Sequence, residues 1–368
     1  MNLGEFDHLY ISLQAEQNGD MIRIQVCGGT GCNAQGGRMV YDALYREISE
    51  MGLSDRVLLS STGCHGFCER GPIVSIQPGG IFYPQVTPGD VKEIVSATVI
   101  GKQVIDRLLY VDPLTGEKQA FDHEISFYAR QQRIVLAGNG KLDPQSILDY
   151  IRNGGYQSVR KALSSMTPEQ VISEILASGL RGRGGAGFPT GRKWSFARNA
   201  TGDRKYMVCN GDEGDPGAFM DRSLMEGNPH LVLEGMIIGA FAIGANAGYI
   251  YVRAEYPLAV SNLKLAIAQA EKLGLLGNNI LDSGYNLEIR VIEGAGAFVC
   301  GEETALMASI EGKIGRPRPR PPFPAQSGLW GRPTNINNVE TLANIPHIIN
   351  QGSVNYAATG TETSKGTK

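Results

Sequence analysis

Cysteines are the residues whose spacing most clearly indicates chemistry, and four of the six fall into two pairs. Four residues separate Cys27 from Cys32, and three separate Cys64 from Cys68. Each pair follows a segment with strand-like alternation, so two neighbouring strand-end loops would bring four thiolates together. Four thiolates bind either zinc or an iron–sulfur cluster. Four buried or free thiols are the plain alternative.

Spacing and neighbours favour a [2Fe–2S] cluster over zinc. Zinc ribbons usually have two-residue spacers, whereas these wider spacers suit a pair of irons. Glycines crowd both pairs, which lets backbone N–H groups approach bridging sulfides. His65 lies within the second pair and is expected to be a loop residue rather than a ligand. The glycines are Gly28, Gly29, Gly31, Gly63 and Gly66.

A glycine-rich loop at 181–188 reads Arg-Gly-Arg-Gly-Gly-Ala-Gly-Phe. It satisfies G-x-G-x-x-G but follows a predicted helix, so it does not fit a Rossmann loop, and no P-loop motif aligns here. A flexible basic loop is the alternative. Its neighbours favour a binding site, because Arg183 and Lys193 can hold a phosphate together with backbone N–H groups. Phe188 and Phe196 can stack on planar rings.

Four further segments have the composition expected of a ligand-binding site. Segment 209–217 lacks EF-hand spacing, so its acids are predicted to accept hydrogen bonds from ribose hydroxyls or an amide. Segment 294–303 ends in two glutamates, which suit a ligand or a helix N-terminus. Segment 335–338 offers amides for a heterocycle or a phosphate, or forms a turn. The Arg-Pro run at 316–324 suits a rigid wall beside a site or a polyproline ligand.

The predicted elements form two α/β domains. Residues 18–100 show the order β-α-β-β-β-α, which indicates a small thioredoxin-like domain. Residues 101–142 are predicted to be a connector with some strand. Residues 143–350 alternate helices and strands, with a capping box that begins a helix after Thr167. This alternation indicates a Rossmann-like α/β domain with a mostly parallel sheet.

Composition and charge exclude other classes. The 34 Lys and Arg against 37 Asp and Glu give a net charge of −3, so nothing indicates nucleic acid or an anionic membrane as a partner. The N-terminus lacks a signal-peptide pattern, and the apolar stretch at 236–247 is too short to span a bilayer. We therefore expect a cytoplasmic protein with reduced thiols and no membrane insertion. Histidines are scattered, and no hydrolase motif is present.

Several of these segments together resemble the NADH-binding FMN flavoprotein subunits of respiratory complex I, with relatives in NAD-dependent hydrogenases and formate dehydrogenases. The resemblance covers residues 165 to 350. It rests on the glycine-rich loop, on Cys-Asn-Gly-Asp-Glu-Gly-Asp-Pro-Gly at 209–217, on Gly-Glu-Glu-Thr-Ala-Leu at 301–306 and on Asn-Ile-Asn-Asn-Val-Glu-Thr at 335–341. The cysteine domain is similar to that of the beta subunit of electron-bifurcating [FeFe]-hydrogenases.

The resemblance implies FMN, NAD(H) and a [2Fe–2S] cluster as cofactors, with hydride transfer by FMN and no catalytic side chain. Residues implied to hold FMN are Gly182, Arg183, Gly184, Lys193, Asn210, Asp212, Glu213, Gly301, Glu302, Asn337 and Asn338. Residues implied to line the NADH site are Phe188, Phe196, Asp215, Glu303 and Phe323. Cluster ligands would be Cys27, Cys32, Cys64 and Cys68. Asp215 and Phe298 stand where the complex I pattern has glutamate and tyrosine.

The implied function is a redox subunit within an electron-bifurcating NAD-dependent hydrogenase. Its partners would be other iron–sulfur and hydrogenase subunits, with ferredoxin as a further candidate. The alternatives are a diaphorase subunit of an NAD-dependent formate dehydrogenase and a non-catalytic nucleotide-binding cluster protein. The family continues into a ubiquitin-like segment, of which 351–368 would be the start, and a [4Fe–4S] bundle. Cys209 and Cys300 are too few to bind that second cluster.

Overall fold

The computed structural model describes residues 1–15, 21–215, 217–294 and 296–366. The chain divides into two units. Glu16–Pro144 forms the cysteine unit, and Met1–Ala15 with Gln145–Lys368 forms the cavity unit. The first helix, α1 (Leu3–Ala15), therefore belongs to the cavity unit. Within the described ranges, no helix is both long and apolar enough to cross a membrane.

The cysteine unit is a four-stranded sheet covered by helices. Its elements are β1 (Ile22–Cys27), α2 (Thr30–Ala34), α3 (Gly37–Glu50), β2 (Val57–Thr62), β3 (Val74–Gln77), β4 (Ile81–Tyr83), α4 (Val91–Glu93), β5 (Tyr110–Val111), β6 (Lys118–Gln119) and α5 (Ser126–Ala129). The sheet order is β2–β1–β3–β4, with β2 parallel to β1 and the other pairs antiparallel. A π-helical segment, Ile94–Ile100, continues α4.

Hydrophobic periodicity explains this unit. Val40, Leu44 and Ile48 recur at helical spacing on α3 and are buried with Ile24 and Val26 of β1. Strands β1 and β2 are parallel, so both end at the same end of the sheet, where the loops that carry the cysteines begin. The predicted α/β fold with a thioredoxin-like domain is confirmed.

The segment predicted as a connector, 101–142, packs inside the cysteine unit. Phe127 stacks on Phe67 with ring centroids 5.0 Å apart, and Tyr110 and Tyr128 contact the same ring at 5.5 and 5.7 Å. Aromatic burial therefore attaches the segment to the cysteine loop. Its isolated aromatics have no helix or strand period, which is why the sequence pattern did not indicate this packing.

The cavity unit combines a parallel sheet with helices. Its further elements are α6 (Ile147–Arg152), α7 (Gln157–Ser165), α8 (Pro168–Ala177), α9 (Thr190–Asn199), β7 (Tyr206–Gly211), α10 (Met220–Gly227), α11 (Pro229–Ile243), β8 (Ala247–Arg253), α12 (Pro257–Lys272), β9 (Glu288–Gly294), α13 (Glu303–Ile310), β10 (Thr334–Asn338), α14 (Val339–Gln351) and α15 (Ser353–Ala357). The predicted capping box is present, since Thr167 and Gln170 bond each other's backbone N–H groups.

The strand order in this unit is β10–β7–β8–β9, and every pair is parallel. Strand β10, the last of this sheet in sequence, thus lies beside β7, the first strand of this sheet, and Asn338 is in register with Asn210. Ligands of open parallel sheets bind outside the carboxyl ends of the strands. The fold therefore brings segments 209–217 and 335–338, which are far apart in sequence, to one edge.

Candidate functional site

The glycine-rich loop connects α8 to α9 and closes on itself. The backbone N–H of Gly182 donates to Phe188 O at 2.9 Å, and Arg181 pairs with Pro189 across the loop. Gly185 and Gly187 have φ values of 102° and 61°, which only glycine adopts readily. The loop is therefore a defined turn rather than the flexible basic segment that the sequence left open.

A cavity of about 250 Å³ lies against this loop, and we call it the glycine-loop cavity. A Cβ on Gly184 would lie 3.2 Å from Asn338 Cβ, so glycine permits the loop to approach β10 closely. Its walls are glycine backbone, amides and charged side chains. The lining residues are Gly182, Gly184, Ala186, Gly187, Phe188, Lys193, Asn210, Gly301, Glu302, Glu303, Arg320, Ile336, Asn337 and Asn338.

Buried contacts fix which atoms the amides can offer. Asn337 Oδ1 accepts from Trp194 Nε1 at 2.8 Å and from Asn335 Nδ2 at 2.6 Å, so its own nitrogen remains the group for a ligand. Asn210 Oδ1 accepts from the Asp212 backbone N–H at 3.0 Å, and Asn210 Nδ2 donates to Gly301 O at 2.9 Å. Sequence reasoning missed the orienting role of Trp194.

Two of the predicted acids cap helices. Glu302 accepts from the backbone N–H groups of Thr304 and Ala305 at 2.8 and 3.0 Å and begins α13. Burial alone would raise its pKa, but these hydrogen bonds outweigh it and the pKa of Glu302 is lowered. Glu213 likewise accepts from the first residues of α10, at 3.1 and 3.0 Å. Both carboxylates are therefore engaged with backbone N–H groups.

Asp212 is the acid that still has an acceptor to offer. Its Oδ2 is buried and has no hydrogen-bond partner among the described residues, although Arg253 lies 3.9 Å from Oδ1. Burial raises the pKa of Asp212 to about 6, against the charge of Arg253. A Cβ on Gly301, which lines the cavity, would lie 3.6 Å from that oxygen. An orphaned acceptor here fits a hydroxyl-bearing ligand such as the ribityl chain of FMN.

A second cavity has a volume of about 670 Å³, and we call it the aromatic cavity. It shares five lining residues with the first: Ala186, Phe188, Lys193, Glu303 and Arg320. Its rings are exposed, and those of Phe188 and Phe196 lie 6.4 Å apart. Exposed rings around a cleft are suited to stacking on planar groups. The lining residues are Ala186, Phe188, Lys193, Phe196, Asn199, Ala200, Glu303, Arg320, Phe323, Pro324, Ala325 and Gln326.

A charge cluster separates the two cavities. Lys193 Nζ lies 3.4 Å from Glu303 Oε2, and Arg320 Nη1 pairs with Glu303 Oε1. Burial lowers the pKa of Lys193, and the attraction of Glu303 does not fully offset this. Two cations therefore share one carboxylate. The boundary between the cavities has an excess of positive charge, which suits an anion. Arg320 was missed as a site residue, although the alternation of Arg and Pro at 316–324 indicated a wall.

Four predicted site residues line neither cavity: Arg183, Asp212, Glu213 and Asp215. Arg183 lines neither cavity, because its guanidinium donates to Lys365 O at 2.6 Å. Asp215 also lines neither cavity. Phe298 is exposed and packs against the Gly214 backbone. The remaining predicted FMN residues, apart from Asp212 and Glu213, line the glycine-loop cavity, and those predicted for NADH, apart from Asp215, line the aromatic cavity.

The four cysteines of the other unit are brought together at one end of its sheet. Cys64 Sγ lies 3.4 Å from Cys68 Sγ. Cys27 is hydrogen-bonded to both Cys32 and Cys64. The thiols thus form a chain in the order 32–27–64–68, and no group of three His, Cys, Asp or Glu in the described residues is arranged around a single ion. An extended set of four sulfurs suits two irons better than one zinc.

Glycines that approach the sulfurs closely support a cluster in this place. A Cβ on Gly71 would lie 2.7 Å from Cys32 Sγ, and one on Gly31 would lie 3.0 Å from Cys68 Sγ. The Cys27 thiol donates a hydrogen bond to Cys32, and the Cys64 thiol donates one to Cys27. Together with burial, these hydrogen bonds raise the pKa values of Cys27 and Cys64 to about 12 and about 11. Four thiolates this close require positive iron to offset their charge.

The clustered thiols in one unit suit an iron–sulfur cluster, and the glycine- and amide-lined cavity at the parallel sheet edge of the other unit suits a flavin nucleotide. Residues 175–347 match the Nuo51 FMN-binding domain, and residues 5–98 match the thioredoxin-like [2Fe–2S] ferredoxin family. The chain therefore carries both domains, which confirms its resemblance to the complex I flavoprotein subunits and its predicted FMN and [2Fe–2S] cofactors.

Curated relatives agree with this assignment. The chain is 58% identical over 239 residues to NADP-reducing hydrogenase subunit HndC of Solidesulfovibrio fructosivorans, covering 65% of this chain and 48% of the relative. It is 55% identical over 223 residues to an NADH-quinone oxidoreductase subunit of Aquifex aeolicus, covering 61% and 52%. The chain spans about half the length of the curated relatives it matches.

A solved structure is similar over nearly the whole chain. It is the NAD⁺-reducing [NiFe]-hydrogenase in the air-oxidised state, with a TM-score of 0.53 and 28% sequence identity. The match covers 99% of this chain and 59% of that one.

Proposed function

We propose that the chain is a flavoprotein redox subunit that transfers a hydride from NADH to FMN, or the reverse, and exchanges single electrons with iron–sulfur clusters. The observation that carries this proposal is the shared wall of the two cavities, which is formed by Ala186, Phe188, Lys193, Glu303 and Arg320. A flavin in one cavity and a nicotinamide nucleotide in the other would meet at that wall. FMN supplies the conversion between two-electron and one-electron transfer.

Residues of the glycine-loop cavity would bind and orient FMN. Asn337 offers an amide nitrogen, and Lys193 offers a cation. Asp212 lies outside the lining, next to Gly301, and offers an unpaired acceptor from there. Glu302 caps α13, which carries the lining residue Glu303. Glu213 caps α10, which carries no residue that lines either cavity, so the assignment of Glu213 to FMN rests on the family resemblance. The backbone of Gly182 and Gly184 forms part of the wall, and the absence of a side chain at Gly184 lets the loop approach Asn338 closely. The backbone N–H of Arg183 donates to Thr341 Oγ1 at 2.9 Å, so the assignment of Arg183 to FMN is a proposal that rests on the family resemblance alone.

Residues of the aromatic cavity would bind NADH. Phe188, Phe196 and Phe323 supply apolar faces for the planar rings, and Glu303 supplies an acceptor for a ribose hydroxyl. Arg320 and Lys193 supply positive charge for the pyrophosphate. We place Asp215 at the edge of this site as a proposal that rests on the family resemblance alone.

Cys27, Cys32, Cys64 and Cys68 are the proposed ligands of the [2Fe–2S] cluster. Their support is the continuous chain of thiol contacts and the glycines packed against the sulfurs. A cytoplasmic location, where thiols stay reduced, is proposed with them.

We also propose that the chain works in a hetero-oligomeric complex with other iron–sulfur or hydrogenase subunits. Its similarity to a hydrogenase subunit and to a NAD⁺-reducing hydrogenase supports this. Electron bifurcation with ferredoxin as a partner is the finer form of the proposal. A diaphorase role in a formate dehydrogenase is the alternative, and the two predict different subunits on co-purification.

An anaerobic visible spectrum before and after addition of NADH tests the redox function. We expect a flavin band that bleaches with NADH, and about two iron and two sulfide per chain. Bound flavin that stays oxidised with NADH would favour a nucleotide-binding protein without catalysis. Protein that carries zinc and no flavin after reconstitution contradicts both the cluster and the reaction.

A further inference from the structure

Asp221 is a buried carboxylic acid that contacts two segments around the glycine-loop cavity without lining it. It is the second residue of α10 and is 7% exposed. Its Oδ2 accepts a hydrogen bond from Asn338 Nδ2 at 2.5 Å, and its Oδ1 accepts one from the Glu340 backbone N–H at 3.2 Å. Its own backbone N–H donates to Glu213 Oε1 at 3.1 Å. Asp221 therefore ties the acidic loop to the start of α14.

Asn338 connects Asp221 to the cavity wall. The Asn338 side chain lines the cavity and also caps α14, because its Oδ1 accepts from the Thr341 backbone N–H at 3.3 Å. The orientation of this amide is thus set from both sides, with oxygen toward α14 and nitrogen toward Asp221. A change at Asp221 reaches the cavity through this amide.

The charged and titratable groups that act most strongly on Asp221 are acidic. Glu213 faces it from the acidic loop, Glu340 from α14 and Cys209 from β7. Arg222, the next residue of α10, lies over an aromatic ring instead. Burial and the charge of Glu213 raise the pKa of Asp221 to about 7, against the hydrogen bond from Asn338. The carboxyl group therefore changes charge near neutral pH.

We propose that Asp221 is a positioning residue for FMN, which holds the Asn338 amide when ionised and loosens it when protonated. The inference rests on the proposed assignment of this cavity to FMN. Both oxygens of Asp221 already accept a hydrogen bond, and an oxygen that carries the proton is a poorer acceptor. Protonation therefore weakens the bond from Asn338 or the bond from the Glu340 N–H. FMN binds more tightly above this titration than below it.

The Asp221→Asn variant tests this, because asparagine has the shape of the protonated acid and does not titrate. FMN dissociation constants are measured by quenching of flavin fluorescence on the full chain at about pH 6 and about pH 8.5. We expect the variant to bind FMN about fivefold more weakly than the wild type at the higher pH, the effect of one lost hydrogen bond. At the lower pH the two proteins bind FMN equally.

Two other groups titrate in this range, and the design separates them. The FMN phosphate titrates identically in all proteins, so it cancels in the ratio of variant to wild type. Burial raises the pKa of Asp212 to about 6, so Asp212 could also contribute a pH dependence. The Asp212→Asn variant is expected to bind FMN more weakly but must keep the change in FMN affinity near neutral pH. Asp7→Asn is the matched control, since Asp7 pairs with Arg160 and lines neither cavity.

A second variant keeps the inference testable if Asp221→Asn does not fold. Asn338→Ser retains an oxygen that can cap α14 but removes the amide that Asp221 holds. The Asn338→Ser variant is expected to lose the increase in FMN affinity that the wild type shows as the pH rises through neutrality. A ratio of affinities that is constant with pH, or that reverses at high pH, overturns the role of Asp221. Wild-type protein that binds no FMN at either pH would instead overturn the proposed function.

Discussion

Replacement of Lys193 by methionine is expected to weaken FMN binding, because the lysine is an under-compensated cation at the cavity boundary. Lys193 Nζ lies 3.4 Å from Glu303 Oε2, but the same carboxylate is also paired with Arg320. Burial lowers the pKa of Lys193 despite this contact. An anionic group of a ligand would supply the missing negative charge. Methionine keeps the length and most of the apolar stem.

The size of the effect follows from the contact distance. At 3.4 Å, an effective dielectric constant of about 20 gives roughly 5 kcal/mol of gross attraction between Lys193 and one carboxylate. Desolvation opposes most of this, so the net value of a charge-assisted hydrogen bond, about 1.5–3 kcal/mol, is the better measure for the ligand. The dissociation constant of FMN should therefore rise by about 10- to 150-fold.

Fluorescence titration of FMN with the apoprotein measures this change, and NADH-driven bleaching follows flavin occupancy. Lys161→Met is the matched control, since the Lys161 ammonium donates to Ile349 O at 2.6 Å and lines neither cavity. We expect the control to bind FMN like the wild type. An FMN affinity of Lys193→Met within about twofold of the control, with normal bleaching by NADH, would refute the role of this lysine.

Three further predictions concern the cluster and the stability of the cavity unit. Cys68→Ser should retain FMN but lose iron and sulfide, and a full iron content in this variant would contradict its role as a ligand. Glu234→Gln should lower the free energy of unfolding in urea by about 2–3 kcal/mol, because the buried carboxylate accepts hydrogen bonds from Tyr150 and from the N-terminal backbone of α7. A urea unfolding midpoint equal to that of the wild type would contradict this prediction. Burial lowers the pKa of His230 from 6.5 to about 4. The free energy of unfolding should therefore fall by about 3 kcal/mol as the pH falls from 6.5 to about 4. This loss should be absent in His230→Gln.

Much of the fold could be predicted because its signals are local. The alternation in β1, the spacing of Val40, Leu44 and Ile48 on α3, and the capping box at Thr167 each depend on a few neighbouring residues. The parallel sheet followed from the alternation of strands and helices. The position of β10 beside β7 had no such local signal, because strand order depends on packing between distant segments.

The candidate site could be predicted as a set of segments, but not the role of each side chain. A glutamate in a glycine-rich segment has the same sequence appearance whether it binds a ligand or caps a helix. Glu213 and Glu302 cap helices here, whereas Asp212 keeps a buried acceptor. Asp221 had no motif at all, because its importance comes from contacts with Asn338, which lies more than a hundred residues away in sequence.

These capping acids help to explain why the cavity suits an anionic cofactor although its walls carry carboxylates. Helices α9, α13 and α14 all begin beside the glycine-loop cavity, where Lys193, Glu303 and Asn338 line it from their first turns. A helix N-terminus carries about half a positive charge, and cavity-facing N–H groups favour a phosphate. Glu302 directs its negative charge to the backbone of α13, so its effect on a ligand is reduced. Under the proposed assignment, the positive boundary formed by Lys193 and Arg320 would then act on the anionic groups of FMN or NADH.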